Sequence, residues 1–293
     1  MLGTALREAL TARGATVLQL VRRPPDAPNQ LQWNPPSAVE LTCPEPFENL
    51  TAAIHLAGAN LATKRWNAEY KRELVESRVE STCALAAFLA KLSRPPKMLL
   101  VASAVGFYGN RGDEMLDETS LPGRGFFPDL CRRWESAAEP AEAAGIRVIH
   151  LRFGVVLASG QGALARLLPI FRFGLGGNVG NGRQYMSWIS LPDMVSAVLF
   201  LLETEGASGP YNVTSPNPLT NAQFTRLLAA QLHRPALIGV PAFAARIALG
   251  EMADEALLAS TRAYPARLDA AGFQFAHPSL VHALPALLSP TLK

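Results

Sequence analysis

The chain opens on a helical pattern. In MLGTALREALTARG, Leu2, Ala5, Leu6, Ala9 and Leu10 recur every three or four residues and form one apolar stripe. Gly14 suits the end of that helix, where the left-handed conformation is open to glycine. A short apolar strand, Thr16 to Val21, comes next. The alternation then repeats. TAAIHLAG reads as a strand running into a glycine turn, and the spacing predicts a long helix over 67–92. KMLLVASA, entered through Pro95 and Pro96, is the next strand. A helix over 128–144 ends at Gly145, and RVIHLRF is a further strand. Nearly continuous apolar strands alternating with amphipathic helices predict a parallel sheet covered on both faces.

After Gly154 the texture changes. GLGGNVGNGRQYMSWI is too rich in glycine for a regular element, whereas MVSAVLFLLE resumes as a helix. From Gly209 onward the elements are short and punctuated by proline. Thr220 is placed to cap NAQFTRLLAAQL, and Asp193 to cap the helix it opens. The fold class expected is α/β, a Rossmann-like doubly wound parallel sheet with a small C-terminal substrate lobe. The sheet domain is expected over 1–160, its last strands completed by parts of 180–215, and the lobe mainly over 161–293.

Composition narrows the function. Of 293 residues, 49% are hydrophobic and 17% charged, with a formal net charge of +3. No run of five or six basic residues occurs, so a nucleic-acid partner is not indicated. Cys43, Cys83 and Cys131 are widely separated and odd in number, which points to neither a disulfide framework nor a metal site. A reducing, cytoplasmic setting fits them. No apolar run reaches the roughly 18 residues of a membrane span, so no membrane partner is expected. The expected partner is a small-molecule substrate, and the candidate assembly is a homodimer.

Doubly wound sheets bind ligands beyond the carboxyl ends of their strands. Gly3, just ahead of the first helix, is placed like the last glycine of a phosphate-binding turn, or serves simple packing. Arg22 and Arg23 follow the first strand with no acid nearby. An acid there bonds a ribose hydroxyl and arginine accommodates a 2′-phosphate, so the pair favours NADP(H) over NAD(H). Leu56, Ala57 and Gly58 form a small-residue turn against which a cofactor could lie, with His55 before them as a packed histidine. Ser103 and Tyr108 supply hydroxyls after the next strand. Tyr108 is either a proton donor or a packed aromatic with a wet hydroxyl. Arg183, Gln184 and Trp188 make a polar and aromatic loop suited to a substrate.

The ordered set HLAG, SRVEST, SAVGFYG, CRRWE, LRFGVVL, GNGRQYMSWISLPDMV, GPYNVTSPNP and RPALIGVP resembles an atypical branch of the short-chain dehydrogenase/reductase superfamily, the epimerase-family proteins. The resemblance runs over essentially the whole chain. It implies an NAD(P)-binding domain over 1–160, with Gly3, Arg22, Arg23, Leu56, Ala57, Gly58, Ser103, Arg152 and Gly154 against NADP(H). It also implies Ser103, Tyr108 and Arg78 as the catalytic candidates. Extended members carry Tyr-x-x-x-Lys with a glutamate four residues beyond the lysine. Anchoring on Glu135 puts Phe127 at the tyrosine position and Cys131 at the lysine position, and neither can do that work. Arg78 stands where relatives often have asparagine. The expected function is an NADP(H)-dependent oxidoreductase or epimerase-like protein without the standard acid–base pair, or else a module that binds NADP(H) without chemistry. Relatives carry a strand and two glycines ahead of Gly3, and the natural protein is expected to start upstream of Met1.

Overall fold

The computed structural model of the protein describes residues 1–35 and 44–289, so Cys43 lies outside the described residues. Helix α1 (Leu2–Ala12) buries Leu6, and Gly14 at φ +80° turns the chain into strand β1 (Gln19–Val21). β1 pairs in parallel with β2 (Gln30–Gln32). β3 (Ala52–His55) leads to the helix expected over 67–92, which the structure divides into three. α2 (Ala68–Val75) is capped by Asn67, whose side chain accepts from the Tyr70 amide at 2.7 Å. A π-helical turn over Glu76–Glu80 follows, and then α3 (Ser81–Leu89). Such π turns are frequent at functional sites, and this one carries the buried Arg78. Next come β4 (Met98–Ala104), β5 (Met115–Leu116), α4 (Phe126–Ser136), α5 (Glu139–Ala143) and β6 (Arg147–Phe153).

β7 (Val155–Ala158) and α6 (Gly162–Arg172) open the second half. The glycine-rich stretch then yields two short strands, β8 (Tyr185–Met186) and β9 (Trp188–Ser190), followed by α7 (Leu191–Glu203). β10 (Gly209–Val213), β11 (Leu219–Thr220) and α8 (Asn221–Gln231) come next. α9 (Ala242–Leu249) precedes a second π turn over Ala253–Leu257 and β12 (Arg262–Ala263). α10 (Ala266–Ala270) and α11 (Leu280–Leu288) complete the described chain.

Four strands form the central parallel sheet in the order β10-β6-β4-β3, and β1 and β2 make a separate pair. Helices flank the sheet, which is why β4 and β6 are buried along nearly their whole length. The core beneath them joins Leu99, Ile149 and Val213 to Leu6, Leu89 and Val198 from the helices. A second core, around Leu157, Leu164, Trp188, Phe224 and Leu284, fills the C-terminal half.

Thr220 caps α8 through a capping box: its hydroxyl accepts from the Gln223 amide while the Gln223 side chain accepts from the Thr220 amide. Asp193 departs from expectation. Ser190 is the cap of α7, and the buried Asp193 carboxylate instead accepts from the amides of Ala276 and His277 at 2.8 and 2.9 Å. One turn into the helix, it satisfies a chain segment that arrives from 83 and 84 residues away.

His55 is buried at the end of β3, with its ring Nε2 3.1 Å from the Ser81 hydroxyl. That hydroxyl already donates to the Ser77 carbonyl at 2.7 Å, so the ring N–H donates to it. Burial pushes the imidazole down from 6.5 to about 4. The unfolded chain therefore takes up the proton first. The stability from neutral His55 is complete above about 6.5, falls as pH drops toward about 4, and changes no further below that. At full extent the loss is about 3 kcal/mol. Urea unfolding of the parent and of His55→Gln at neutral pH and at about pH 5 checks this. The gap between the two proteins should narrow on acidification, and an unchanged gap would contradict it.

Candidate functional site

The carboxyl ends of the parallel strands meet in a region whose parts come from distant segments. Past β3, Leu56 is half-buried, and Ala57 and Gly58 are exposed as a backbone shelf. Arg78 lies directly beneath the shelf. A Cβ on Gly58 would stand 3.1 Å from the Arg78 Cζ, so glycine is what lets the guanidinium fit. Arg78 donates through Nη2 to the Ala59 carbonyl at 2.8 Å and sits 5.1 Å from the Trp134 ring centroid. Its Nε is buried without a partner. A buried cationic donor left unpaired is costly, and it would be satisfied by a ligand's hydroxyl or phosphate oxygen.

Deeper in, Ser103, Glu135, Arg152, Tyr108 and Asn212 form one hydrogen-bonded chain. Ser103 donates to Glu135 Oε1 at 2.7 Å. Arg152 grips the same carboxylate with two parallel bonds of 2.8 Å, from Nε and Nη2. Its Nη1 donates to the Tyr108 hydroxyl at 3.0 Å, and that hydroxyl donates to Asn212 Oδ1 at 2.7 Å. Asn212 is held in turn: its amide donates to Glu118 and its Nδ2 to the Tyr264 carbonyl, both at 2.9 Å. The Arg152 Cζ lies 3.6 Å from the Phe107 ring centroid. Tyr108 is 0% exposed, and burial pushes its phenol up to about 12. With both hydrogen-bonding roles committed and no surface, Tyr108 is a packed aromatic in this arrangement, and a proton donor only if the chain opens. Arg152 likewise serves the carboxylate and the phenol within the network.

Phe127 and Cys131 sit on α4 beside this network. A Cβ on Gly106 would meet the Phe127 ring at 2.6 Å, so the ring closes over the turn after β4. Cys131 is fully buried, and burial pushes its thiol up to about 12. The neighbouring Glu135 charge acts in the same direction, while Arg78 opposes it more weakly. The start of α4 is held from the C-terminal half: Glu255 accepts from the Phe127 amide at 3.1 Å, its carboxyl carbon 2.9 Å from where a Gly125 Cβ would stand. Glu255, Asn212 and Glu118 carry no local sequence signal. They act through partners 52 to 149 residues away, which no motif spacing reports.

The other expected residues scatter. Gly3 lies in the first turn of α1 with nothing near its Cβ position, so close packing does not require it. Arg22 and Arg23 are exposed at the end of β1, but the reading that no acid stands beside them needs correction, because Arg23 forms an ion pair with Asp26. Gly154 is required sterically, since a Cβ there would lie 2.7 Å from the Ser187 carbonyl oxygen. Trp188, expected at a substrate, is a core residue: 0% exposed, with its indole N–H donating to the Asn217 carbonyl at 3.0 Å. Gln184 is also buried, donating to Val179 O at 3.0 Å. Of that loop, Arg183 alone of the three presents an exposed side chain. Among the described residues, no group of three or more His, Cys, Asp or Glu could hold a metal ion, and no helix is long and apolar enough to cross a membrane.

Residues 1–214 match the NAD dependent epimerase/dehydratase family, and residues 240–287 match a domain of unknown function. An epimerase family protein of Mycobacterium leprae is 46% identical over 284 residues, 97% of this chain and 91% of that protein. An epimerase family protein of Staphylococcus aureus is 38% identical over 246 residues, 83% of this chain and 80% of its own length. The crystal structure of the human epimerase family protein SDR39U1 with NADPH superposes with a TM-score of 0.89 at 33% identity, covering 98% of this chain and 95% of that one.

Proposed function

From the premise that the chain belongs to the NAD dependent epimerase/dehydratase family, we propose that it binds NADP(H) across the carboxyl ends of β1, β3 and β4. On this reading it exchanges hydride with a small molecule without a proton from α4. The observation that carries the reading is the shelf at Ala57–Gly58 with the unpaired Arg78 Nε beneath it. The residues present fit the cofactor. Arg22 and Arg23 would hold a 2′-phosphate, with Asp26 as a competitor that must yield Arg23. The Ala57–Gly58 backbone would let the cofactor approach closely, and Arg78 would donate to its oxygens. The presence of NADPH in the human relative's structure supports the same choice.

When bound, the cofactor would supply a hydride. The chain's own residues would then orient the acceptor and exclude water, with the Phe127 ring as an apolar wall. The enclosure of Tyr108 and Ser103 favours a second reading, a protein that holds NADP(H) without turnover.

One experiment separates these readings. NADPH should raise the melting temperature and bind at least about tenfold more tightly than NADH, and Arg22→Ser with Arg23→Ser should erase that preference. No shift with either nucleotide would refute the cofactor reading. A shift with no NADPH oxidation by any carbonyl or enone acceptor would leave the holding role alone standing.

A further inference from the structure

Most of the exposed large apolar side chains of the C-terminal half, Val155 and Val281 apart, collect in two segments. Ile170 and Phe173 belong to the end of α6, and Leu237, Phe243 and Ile247 to the stretch that includes α9. Leu237 is 87% exposed, Phe173 80% and Ile247 70%. These segments are joined. The Ile238 amide donates to the Gly176 carbonyl at 3.1 Å and the Val240 amide to Asn178 at 2.7 Å. Apolar surface of this density marks a place where something binds.

The surface continues into the site. Arg166, on the face of α6 that carries Ile170 and Phe173, donates to the Ala62 carbonyl at 3.3 Å. Beyond α9, Gly250 stands against Arg65, Glu251 pairs with Lys71, and Met252 packs into the cluster that holds Phe127 and Cys131. Both apolar faces are thus fastened to residues 59–71, the segment that follows the Ala57–Gly58 shelf. Leu61 and Phe126 add half-buried side chains to the same cluster as Met252.

Charge identifies the occupant. Residues 161–192 and 206–250 contain no aspartate or glutamate, yet they hold Arg166, Arg172, Arg183, Arg226, Arg234 and Arg246. Arg246 is neutralised by Asp254, while Arg166 and Arg234 donate only to backbone carbonyls. This face does not complement a second copy of itself, because Glu251 and Asp254 at its border are already paired with Lys71 and Arg246, and arginine would meet arginine. It complements an apolar molecule with a negative end.

We propose that the mouth between α6, residues 237–249 and residues 59–71 binds a lipophilic anion, a long apolar chain ending in carboxylate or phosphate, as the substrate class of this site. The inference deepens the NADP(H) reading and rests on it for the word substrate, but the binding does not require the nucleotide. The apolar chain would lie along Phe173, Phe243 and Ile247 with its reactive end toward Phe127, and the arginines would hold the anion.

The test titrates the full chain with dodecanoate and dodecyl phosphate below their micelle concentrations, followed by tryptophan fluorescence, since Trp66 packs edge-on against Phe126 and Phe127. Both anions should saturate at one per chain. Dodecyltrimethylammonium and UDP-glucose should bind at least about tenfold more weakly. Phe243→Ser with Ile247→Ser, both exposed and safe for folding, should weaken dodecanoate by about tenfold or more and leave the NADPH melting shift intact. Equal binding of the cationic detergent, preferential binding of UDP-glucose, unchanged affinity in the double variant, or uptake on phosphatidylglycerol vesicles in place of one-to-one saturation would each overturn it. Because the NADPH shift is read separately, its loss in the parent would count against the cofactor reading alone.

Discussion

Replacing Cys131 by lysine is expected to cost roughly 5 kcal/mol of folding stability rather than restore an active pair. Cys131 is fully enclosed by Leu74, Tyr108, Leu130 and their neighbours. A lysine buried there must either carry its charge out of water or lose its proton. Holding an ammonium of ordinary pKa near 10.4 neutral at pH 7 costs about 4.6 kcal/mol, and the extra side-chain volume adds to that. The Arg78 guanidinium, close enough to pull on the thiol, makes a second cation worse. Urea unfolding should show the loss for Cys131→Lys and a change within about 1.5 kcal/mol for Cys131→Ala or Phe127→Tyr. A Cys131→Lys protein as stable as the parent would mean that the pocket opens to water, and the packed site described above would be wrong. The absence of the usual pair is therefore built into the packing around α4, beyond two letters of sequence.

Removal of Arg152 is expected to cost about 3–5 kcal/mol, because it strands Glu135 in a largely buried place and removes a donor from Tyr108. The Glu135 side chain is 12% exposed and the Arg152 side chain 4%, so screening by solvent is slight. Arg152→Met keeps the length and the stacking surface against Phe107 but leaves the carboxylate unpaired except for Ser103. Adding Glu135→Gln to Arg152→Met should recover a substantial part of the loss, since the stranded charge is then gone. Equal losses for the single and double variants, measured by urea unfolding, would show that the ion pair contributes through packing alone. If NADPH still shifts the melting temperature of a folded double variant, the network is a support of the site and does not itself touch the cofactor.

The fold was legible because its signal is local. The apolar runs of β4 and β6, the glycines that end α1 and α5, and the cap at Thr220 each act within a few residues, and the structure has them where the pattern puts them. The candidate site was legible only in part. Ala57, Gly58 and Arg78 do come together at the strand ends. Trp188 and Gln184 looked like ligand contacts because aromatic and amide side chains in a glycine-rich loop suit a ligand. Whether such a side chain faces a ligand or a core depends on what packs over it, and here Asn217 and Val179 take their donors. The pairing of Asp26 with Arg23 is not legible in sequence, because three residues of loop do not reveal which way a side chain turns.

By itself, the sequence determined the order of helices and strands, the parallel sheet they build, and two stretches, 161–192 and 206–250, that carry arginine and no acid. These follow from residue type and spacing alone. The tertiary structure decided the rest: that Tyr108 spends its hydroxyl on Arg152 and Asn212, that Glu255 holds the start of α4, and that the apolar faces of α6 and α9 meet the same segment at the site. Each depends on groups brought together from far along the chain, and hydrogen bonds and burial act over a few ångströms of space, with no regard to distance in sequence.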